Sequence, residues 1–518
     1  MNRNYDIIII GAGAAGLLLA SRTNLAAAGR TGLILEATSL PGTKLRMTGA
    51  GHCNFTHAGS VKEMVACYGP HGKAIRRALY RYNNDSFREH MAALGLPSYA
   101  RDDGRVFPRC EDGEQVRRAL LSRARENGFE LKTDSTVRSI SGSANALKGV
   151  ESGDVSASAN ATADVLARNT QVSNQRSASN LQLDSSGSPG KSDRLGDAGE
   201  RASNEHVTWR IICADSVTYE TSHLVIATGG KSYPSTGSNG HMWKILEQDL
   251  GIRIVSPRPA LAPISVADYP YSELAGLSFP NVLLSVTAPG QKIQRSRGDL
   301  LLTHHSFSGP AALNLSADAT DGDMLHINYL PDIPAEEVTA RITKAFAAGK
   351  GSPANVLASL FGLPKRFCEA VIARSIGTNR HCDGGAQDDE RRTGRRIERN
   401  ALFNDGGSQS KETRDTRIAQ THRNVNSYDG LSPRRVSSVL ADDIFTVTGE
   451  ADWNVAMATR GGIDLGELDL KTMEFREHQG LYAIGEALDV DGRTGGYNLQ
   501  FAYSSAAVCA EALTERIF

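Results

Sequence analysis

A short stretch at the start of the chain constrains the fold more than any other feature. The mostly apolar run Tyr5–Ile10 is followed at once by Gly11, Gly13 and Gly16 in the pattern GxGxxG. An Ala/Leu-rich helical run comes next, and a second apolar segment then ends at Glu36. A strand, a glycine turn, a helix and a strand that ends in an acid are typical of the first unit of a dinucleotide-binding fold.

Each residue type in this unit matches a requirement of dinucleotide binding. Gly11 permits the tight turn, Gly13 lets the main chain approach a pyrophosphate, and Gly16 lets the helix pack closely on the strand. The free N–H groups and the positive dipole end of the helix then face the phosphates. Glu36 is placed to accept both ribose hydroxyls, which favours FAD or NAD over a 2′-phosphorylated ligand. The alternative is an ordinary glycine-rich turn without a ligand.

A second glycine turn is predicted to face the same ligand. The apolar run from His223 to Thr228 predicts a buried parallel strand that stops at Gly229, so its carboxyl end should reach the same crevice. The Gly-Gly-Lys-Ser sequence that begins there is not a P-loop. Val225 occupies the position of the required first glycine, and a helix cannot continue through Pro234.

A third glycine turn lies near the carboxy terminus. A predicted strand over residues 481–484 leads to Gly485 and Glu486, and a loop with Gly495 and Gly496 then opens an Ala/Ser-rich helix. The N-terminus of such a helix is well placed to stabilise negative charge on a reduced isoalloxazine ring. The alternative is a closing strand and helix that bind nothing.

The segment from Pro41 to Thr56 is too rich in glycine and short polar residues to predict a helix or a strand. A loop of this kind beside a phosphate site usually supplies backbone N–H groups and small side chains to a ligand. A plain surface loop is the alternative.

Composition limits the partners and the compartment. The formal net charge of -1 over 518 residues points to neither nucleic acid nor a membrane surface. The seven cysteines form no CxxC pair, which favours free thiols in a reducing compartment over disulfides or a metal site. No apolar run reaches the roughly 18 residues of a membrane span. We therefore expect a protein of the cytoplasm or of an organelle interior that is not secreted and holds no metal.

The remaining patterns predict further elements and two insertions. Residues 141–205, which lack aromatic residues, and the polar tract 377–432 are predicted to be disordered. Helices are predicted at residues 73–94, 114–127, 240–250, 311–316, 334–348 and 364–375.

Together these motifs resemble the HI0933-like family of FAD-dependent oxidoreductases, a group described as aminoacetone-oxidase-like that includes BaiN-type flavoproteins. The most specific matching segment is Asp489–Gln500. It belongs to the longer match Gly485–Gln500, and the other matching segments are Gly11–Gly16, the loop 44–56, Gly104–Pro108, Ala227–Pro234, Thr303–Pro310 and Gly461–Gly462.

The resemblance implies an α/β fold in which a Rossmann-like FAD-binding domain is built from both chain ends, with an inserted β-barrel plus helical domain as a lid. The implied boundaries are 1–140, 206–256 and 453–518 for the FAD-binding domain and 257–452 for the inserted domain.

The FAD contacts that the resemblance implies are glycines and neighbouring residues of the three turns, together with the acid at the end of the second predicted strand and two residues of the loop 44–56. This chain departs from the family pattern at His52, where members usually carry arginine, so no contact is carried over to that position. The implied contacts are Gly11, Gly13, Ala14, Ala15, Gly16, Glu36, Lys44, Asn54, Gly229, Gly485, Glu486, Gly495, Gly496, Asn498 and Leu499.

The function expected from the motifs and the resemblance is that of an FAD-dependent oxidoreductase, in which FAD performs hydride transfer and the protein supplies orientation, electrostatics and access. No second GxGxxG unit with its own acid is present. Electrons would therefore come from a small-molecule substrate of amine or ketone type, or from NAD(P)H that visits the lid cleft transiently. His304 and His305 are candidates for proton transfer, with a structural role as the alternative. Cys53 is a weaker candidate for a redox thiol, because no partner cysteine is near it in sequence.

Two other functions remain open at this point. A flavin-binding or dinucleotide-binding protein without turnover would act as a sensor or scaffold. An RNA-modifying flavoprotein is the other alternative, and the near-neutral charge and the absence of an evident basic cluster count against it.

Overall fold

The computed structural model describes residues 3–143, 207–377, 427–428, 430–449 and 451–517. Most of the two tracts predicted to be disordered, 141–205 and 377–432, lies outside the described residues.

The strands alternate with helices at both chain ends and dominate the middle of the chain. In chain order they are β1 (Arg3–Ile10), β2 (Gly32–Leu35), β3 (Thr56–His57), β4 (Ser98–Ala100), β5 (Arg105–Pro108), β6 (Phe129–Lys132), β7 (Val137–Gly142), β8 (Trp209–Cys213), β9 (Thr218–Ile226), β10 (Ile254–Ala260), β11 (Ile264–Ser265), β12 (Ser278–Thr287), β13 (Gln294–Leu302), β14 (Ser306–Ser308), β15 (Met324–Asn328), β16 (Asp443–Thr446), β17 (Ala458–Ile463), β18 (Leu468–Asp469), β19 (Glu474–Phe475) and β20 (Leu481–Ala483).

The described helices vary from one turn to six. In chain order they are α1 (Ala14–Arg22), α2 (Thr43–Met47), α3 (Val61–Ala66), α4 (Gly72–Arg81), α5 (Asn84–Ala93), α6 (Gly113–Glu126), α7 (His241–Leu250), α8 (Pro310–Leu313), α9 (Ala335–Ala347), α10 (Pro353–Phe361), α11 (Lys365–Gly377), α12 (Pro433–Ala441) and α13 (Tyr497–Ile517). None of them combines the length and the apolar character that crossing a bilayer requires.

A parallel sheet in the order β20-β9-β1-β2-β6 forms the centre of the first core. Ile7–Ile10 of β1 are all buried, because helices cover a parallel sheet on both faces and leave no polar side. The helix α1 packs against α6 and α13. Strands from the two chain ends thus share one sheet, which confirms the predicted Rossmann-like α/β fold.

A six-stranded antiparallel sheet in the order β11-β14-β13-β12-β15-β16 forms a second core. Its two edges meet, because Val266 and Val447 form an antiparallel bridge and the Ala267 N–H donates to the Thr446 carbonyl at 2.9 Å. The sheet therefore closes into a barrel, as the resemblance predicted. Among the helices beside it, α12 packs against α9, α11 and β15.

The strands β10 and β17 connect the two cores. They pair antiparallel, from Ile254 opposite Ile463 to Ala260 opposite Ala458. The chain enters the barrel region along β10 and leaves it along β17, so the two passages are held side by side.

Several local predictions differ from the structure: α10 (Pro353–Phe361) was not predicted, and α8 (Pro310–Leu313) is shorter than the predicted helix 311–316. The helix predicted over 73–94 is wrong as one element, because α4 ends before Asn83, whose side chain accepts from the Ser86 N–H (3.0 Å) and caps α5. The segment 41–56 contains the short helix α2, with Leu45 buried where α2 packs against α6. Tertiary burial here overrides the low helix propensity of the flanking glycines.

Candidate functional site

A cavity of about 440 Å³ lies at the carboxyl ends of β1, β2 and β9. All three glycine turns contribute to its wall. The residues predicted to contact FAD that line it are Gly11, Gly13, Ala14, Ala15, Glu36, Lys44, Gly229, Glu486, Asn498 and Leu499.

The glycines of the first turn have different surroundings. A Cβ on Gly11 would lie 2.5 Å from the Ala227 carbonyl oxygen, and one on Gly16 would lie 2.1 Å from the Gly11 carbonyl oxygen, so both positions are closed by backbone. The Cβ position of Gly13 has no atom within 4 Å and faces the cavity. No side chain caps α1 at Gly13. The start of α1 therefore presents open space and backbone donors, which fits a pyrophosphate.

The carboxylate of Glu36 is buried at the end of β2 and fastens the first turn. Its Oε2 accepts from the Ala12 N–H at 2.9 Å, and its Oε1 accepts from the Thr38 N–H (2.9 Å) and hydroxyl (2.8 Å). A carboxylate oxygen accepts about two hydrogen bonds, so Oε2 has one acceptor site left for a ribose hydroxyl. This arrangement places Glu36 at the cavity, with fewer free acceptor sites than the motif alone indicates.

Lys44 and Glu486 form an ion pair at the cavity wall. Lys44 Nζ lies 2.8 Å from Glu486 Oε2 and also donates to the Ser232 hydroxyl. Glu486 Oε1 accepts from the Thr459 N–H (2.8 Å) and from the Ser232 hydroxyl (3.1 Å). Four segments that are remote in sequence are therefore joined beside the cavity. Sequence analysis predicted the first pair as separate FAD contacts and missed Ser232 and Thr459.

The third turn reaches α1 directly. Gly485 has φ +67°, and a Cβ on it would lie 2.6 Å from the Cβ of Ala15. Its N–H donates to the Ser505 hydroxyl at 3.0 Å. Only glycine permits this approach, which brings the amino-terminal and carboxy-terminal turns to one groove.

Asn498 holds the loop that precedes α13, which we name the 489–496 loop. Its side-chain Oδ1 accepts from the Gly492 N–H (2.8 Å) and its Nδ2 donates to the Gly492 carbonyl (3.0 Å). Asn498 and Leu499 line the cavity at the first turn of α13. The amino-terminal end of this helix therefore borders the cavity, as the sequence predicted.

The other predicted contacts support the wall from behind. A Cβ on Gly496 would lie 2.7 Å from the Thr56 carbonyl oxygen. With its amide in the orientation that satisfies both atoms, Asn54 accepts from the Gly496 N–H at 3.1 Å and donates to Thr56 and Val106 carbonyls. Gly495, at φ +122°, lies against the Tyr497 ring. Along with Gly16 and Gly485, these residues are not part of the cavity lining.

Two groups of lining residues were missed by sequence analysis. Ser135, Thr136 and Val137 line the cavity where β7 begins, and residues 234–243 line it after the second turn. The first group has no motif. The second is a run of glycine and short polar residues like that at 41–56, and this signal could have identified it.

Two ionisable groups near the site are buried. Burial raises the pKa of the Cys53 thiol to about 12, so the thiol is protonated at neutral pH and a redox role is not supported. In the 489–496 loop, burial raises the pKa of Asp489, and His71 Nε2, 3.8 Å from its Oδ2, opposes this shift.

The proposed proton-transfer histidines lie elsewhere. His304 and His305 are exposed on the turn between β13 and β14, with ring centroids 6.2 Å apart, and neither lines the cavity. His52, the departure from the family pattern, is half exposed and lies 3.4 Å from Glu111 Oε2.

Comparison with known proteins gives matches along almost the whole chain. The chain is 28% identical over 513 residues, 98% of both proteins, to the ribosomal RNA dihydrouridine synthase of Escherichia coli (strain K12). It is 27% identical over 525 residues, 100% of both, to the protein of that name from Haemophilus influenzae. It is 24% identical over 532 residues, 100% of both, to the 3-dehydro-bile acid delta(4,6)-reductase of Clostridium scindens.

The family model described as HI0933-like protein Rossmann domain matches residues 5–181 and 197–512. This match includes all three glycine turns and the strands that carry them. The chain belongs to the HI0933-like family of FAD-dependent oxidoreductases.

Proposed function

We propose that this protein is a reductase that uses FAD to saturate a carbon–carbon double bond conjugated to a carbonyl group. The observation that most supports dependence on FAD is the single cavity to which Gly13, Gly229 and Leu499, one from each glycine turn and its following segment, all contribute. The reaction class is inferred from the relatives.

The names of these relatives describe one kind of chemistry. Dihydrouridine is uridine in which the ring double bond beside a carbonyl has been saturated. The delta(4,6)-reductase acts on double bonds of a bile acid that carries a ketone. Both reactions need a hydride at the carbon remote from the carbonyl and a proton at the neighbouring carbon. A single flavin site can serve both substrates, because the reacting group is the same.

Bound FAD would supply the hydride. The backbone N–H groups at Gly13 and Ala14 would bind the pyrophosphate, and Glu36 Oε2 would accept from a ribose hydroxyl. The N-terminal end of α13, at Asn498 and Leu499, would favour negative charge on the ring. The closed barrel beside the cavity would limit access of water.

The electron donor is inferred to be NAD(P)H that binds transiently. The sequence contains one glycine unit followed by an acid, at residues 11–36, and this unit is assigned to FAD. A nicotinamide would therefore have to reach the flavin from the open side of the cavity and leave before the substrate enters.

The test begins with FAD-loaded protein reduced by NADH or NADPH without oxygen. Reduced protein is then mixed separately with deproteinised ribosomal RNA, a conjugated steroid ketone, a saturated ketone and a primary amine. We expect the visible flavin absorbance to return only with the two conjugated acceptors, whose products gain two hydrogen atoms by mass spectrometry. The proposal would be contradicted if oxygen reoxidised the flavin while none of the conjugated acceptors did, or if the amine reduced the oxidised flavin. Bound flavin that no donor reduces would favour the sensor or scaffold alternative.

A further inference from the structure

The helix α4 has one strongly basic face. Lys73, Arg76 and Arg77 are exposed, while Ile75 and Leu79 on the opposite side are buried. Residues three, four and seven positions apart lie on the same side of a helix, so Tyr80 belongs to the exposed face as well. We name Lys73, Arg76, Arg77 and Tyr80 the α4 face.

The cations of the α4 face are not neutralised by the protein. Within the described part of the chain, Lys73, Arg76 and Arg77 form no ion pair with a carboxylate, whereas Arg81 at the end of the helix pairs with Glu511. Uncompensated cations on one face attract a polyanion, and each phosphate that they neutralise releases counterions.

An aromatic ring lies among these cations. Tyr80 is 55% exposed, more than any other large apolar side chain in the described ranges. Nucleic-acid-binding surfaces combine cations that contact phosphates with aromatic rings on which unpaired bases stack. This combination matches RNA, which supplies both phosphates for the cations and bases for stacking.

The N-terminal end of α4 lies next to the 489–496 loop. His71, immediately before α4, lies 3.8 Å from Asp489, and the Arg493 N–H donates to the Cys67 carbonyl at 3.0 Å. Asp489 and Arg493 belong to the 489–496 loop, which lies between the cavity residues Glu486 and Asn498. A chain bound along α4 would thus pass the loop that borders the reaction site.

We propose that the α4 face docks the phosphate backbone of a structured RNA whose uridine is the acceptor. This inference rests on the proposed function and deepens it by naming the substrate class. The target base must leave its stack to reach a cavity, which unpaired RNA permits at the lowest free-energy cost. The α4 face also corrects the expectation that a basic cluster is absent. The net charge of -1 is a sum over the whole chain, and it does not show that helical spacing places three cations on one face of α4.

The test compares FAD-loaded wild-type protein with Arg76→Gln/Arg77→Gln and with a matched control, Arg118→Gln/Arg125→Gln, whose arginines are exposed on α6. The probe is deproteinised ribosomal RNA in a filter-binding assay over a series of salt concentrations. The α4 variant should bind about tenfold more weakly, and its log–log salt slope should fall by about 1.4 to 1.8 because two phosphate contacts are lost. The control should match wild type, and equal slopes for all three proteins would overturn the proposal.

A second variant tests the ring. Tyr80→Ser should weaken binding to poly(U) severalfold without changing the salt slope, since stacking involves no counterion release. Unchanged poly(U) affinity would remove the ring from the proposal. Binding to anionic phospholipid vesicles that the α4 variant loses, with RNA affinity unaffected, would assign the face to a membrane surface and overturn the RNA assignment.

The outcomes separate docking from chemistry. The α4 variant should keep its FAD and reduce the conjugated steroid ketone at the wild-type rate, because none of the substituted residues lines the cavity. A wild-type protein that reduces this ketone but shows no salt-dependent RNA binding would refute the docking surface alone. One that binds RNA as described but reduces no acceptor would refute the proposed function and leave the surface.

Discussion

Lys44 Nζ lies 2.8 Å from Glu486 Oε2, although 442 positions separate the two residues in the chain. Lys44 follows β2 and Glu486 follows β20, so the pair links segments from both chain ends at the cavity wall. The side chain of Lys44 is 25% exposed and that of Glu486 is 19% exposed. Solvent and salt therefore screen their attraction less than they would screen a fully exposed pair.

This ion pair can be measured with a double-mutant cycle. We expect Lys44→Met and Glu486→Gln each to lower the free energy of unfolding, and the double variant to lose less than their sum by about 1 kcal/mol. The measurement is urea unfolding of the full chain at one fixed FAD concentration. Strictly additive losses would show that the two groups do not interact in solution.

Gly13 and Gly16 should respond oppositely to added side chains. Gly13→Val should leave the protein folded and remove FAD, because the new atoms enter open space that faces the cavity. Gly16→Ala should lower the free energy of unfolding by about 1 to 3 kcal/mol, because its Cβ meets the Gly11 carbonyl oxygen. Flavin absorbance of the purified protein and circular dichroism distinguish the two effects. Flavin retained in Gly13→Val would contradict the placement of the pyrophosphate.

Arg460 holds the barrel region against the 489–496 loop. Its Nη1 lies 2.7 Å from Asp318 Oδ1 and its Nη2 lies 3.1 Å from Asp491 Oδ2. Arg460→Met leaves two carboxylates without their cation, and we expect a loss of about 1 to 3 kcal/mol in the free energy of unfolding, given that the side chain is about a third exposed. Limited proteolysis should accelerate in parallel. Arg460→Lys serves as the charge-conserving control and should lose less.

Asp443 should make stability depend on pH. It is the buried first residue of the barrel strand β16, and burial raises its pKa to about 6 even though Arg374 Nε lies 2.7 Å away. The unfolded chain has a pKa near 3.9, so the folded state binds more protons between these values. The stabilising contribution of this group is therefore complete below about pH 4 and is lost as the pH rises through about 6, a change of about 3 kcal/mol.

The check is the pH dependence of the difference between wild type and Asp443→Asn in urea unfolding. The free energy of unfolding of wild type minus that of Asp443→Asn should fall as the pH rises from about 4 to about 6. The exposed Asp332, whose pKa Arg297 lowers, is a control of opposite sign: its contribution is present above the unfolded pKa and is lost as the pH falls. A pH-independent difference for Asp443→Asn would contradict the raised pKa.

The exposed histidines test the source of the proton. A general acid in the reaction contributes about 100-fold to 10,000-fold to kcat. Because His304 and His305 lie outside the cavity lining, we expect His304→Gln and His305→Gln to change kcat by less than about threefold, far below the effect of losing a general acid. A loss of two orders of magnitude in either variant would return that histidine to the reaction site.

The local sequence was sufficient to predict the structure wherever a residue type is compatible with only one local conformation or environment. A Cβ is impossible at Gly11 and Gly16, and a buried apolar run between glycine turns has few places other than the middle of a parallel sheet. The first unit, the parallel strand before Gly229 and the long last helix could therefore be predicted, and the structure contains them. The family resemblance added the barrel, which periodicity alone does not indicate.

Tertiary structure decided what depends on contacts between remote segments. The pairing of Lys44 with Glu486 and the closure of the barrel at Val266 and Val447 have no local signature. The α4 face is a similar case: its residues are visible in the sequence, but only packing decides which side of the helix is buried and whether carboxylates lie nearby. Charge and burial are properties of a three-dimensional neighbourhood, and a local stretch of sequence does not reveal which remote segments form that neighbourhood.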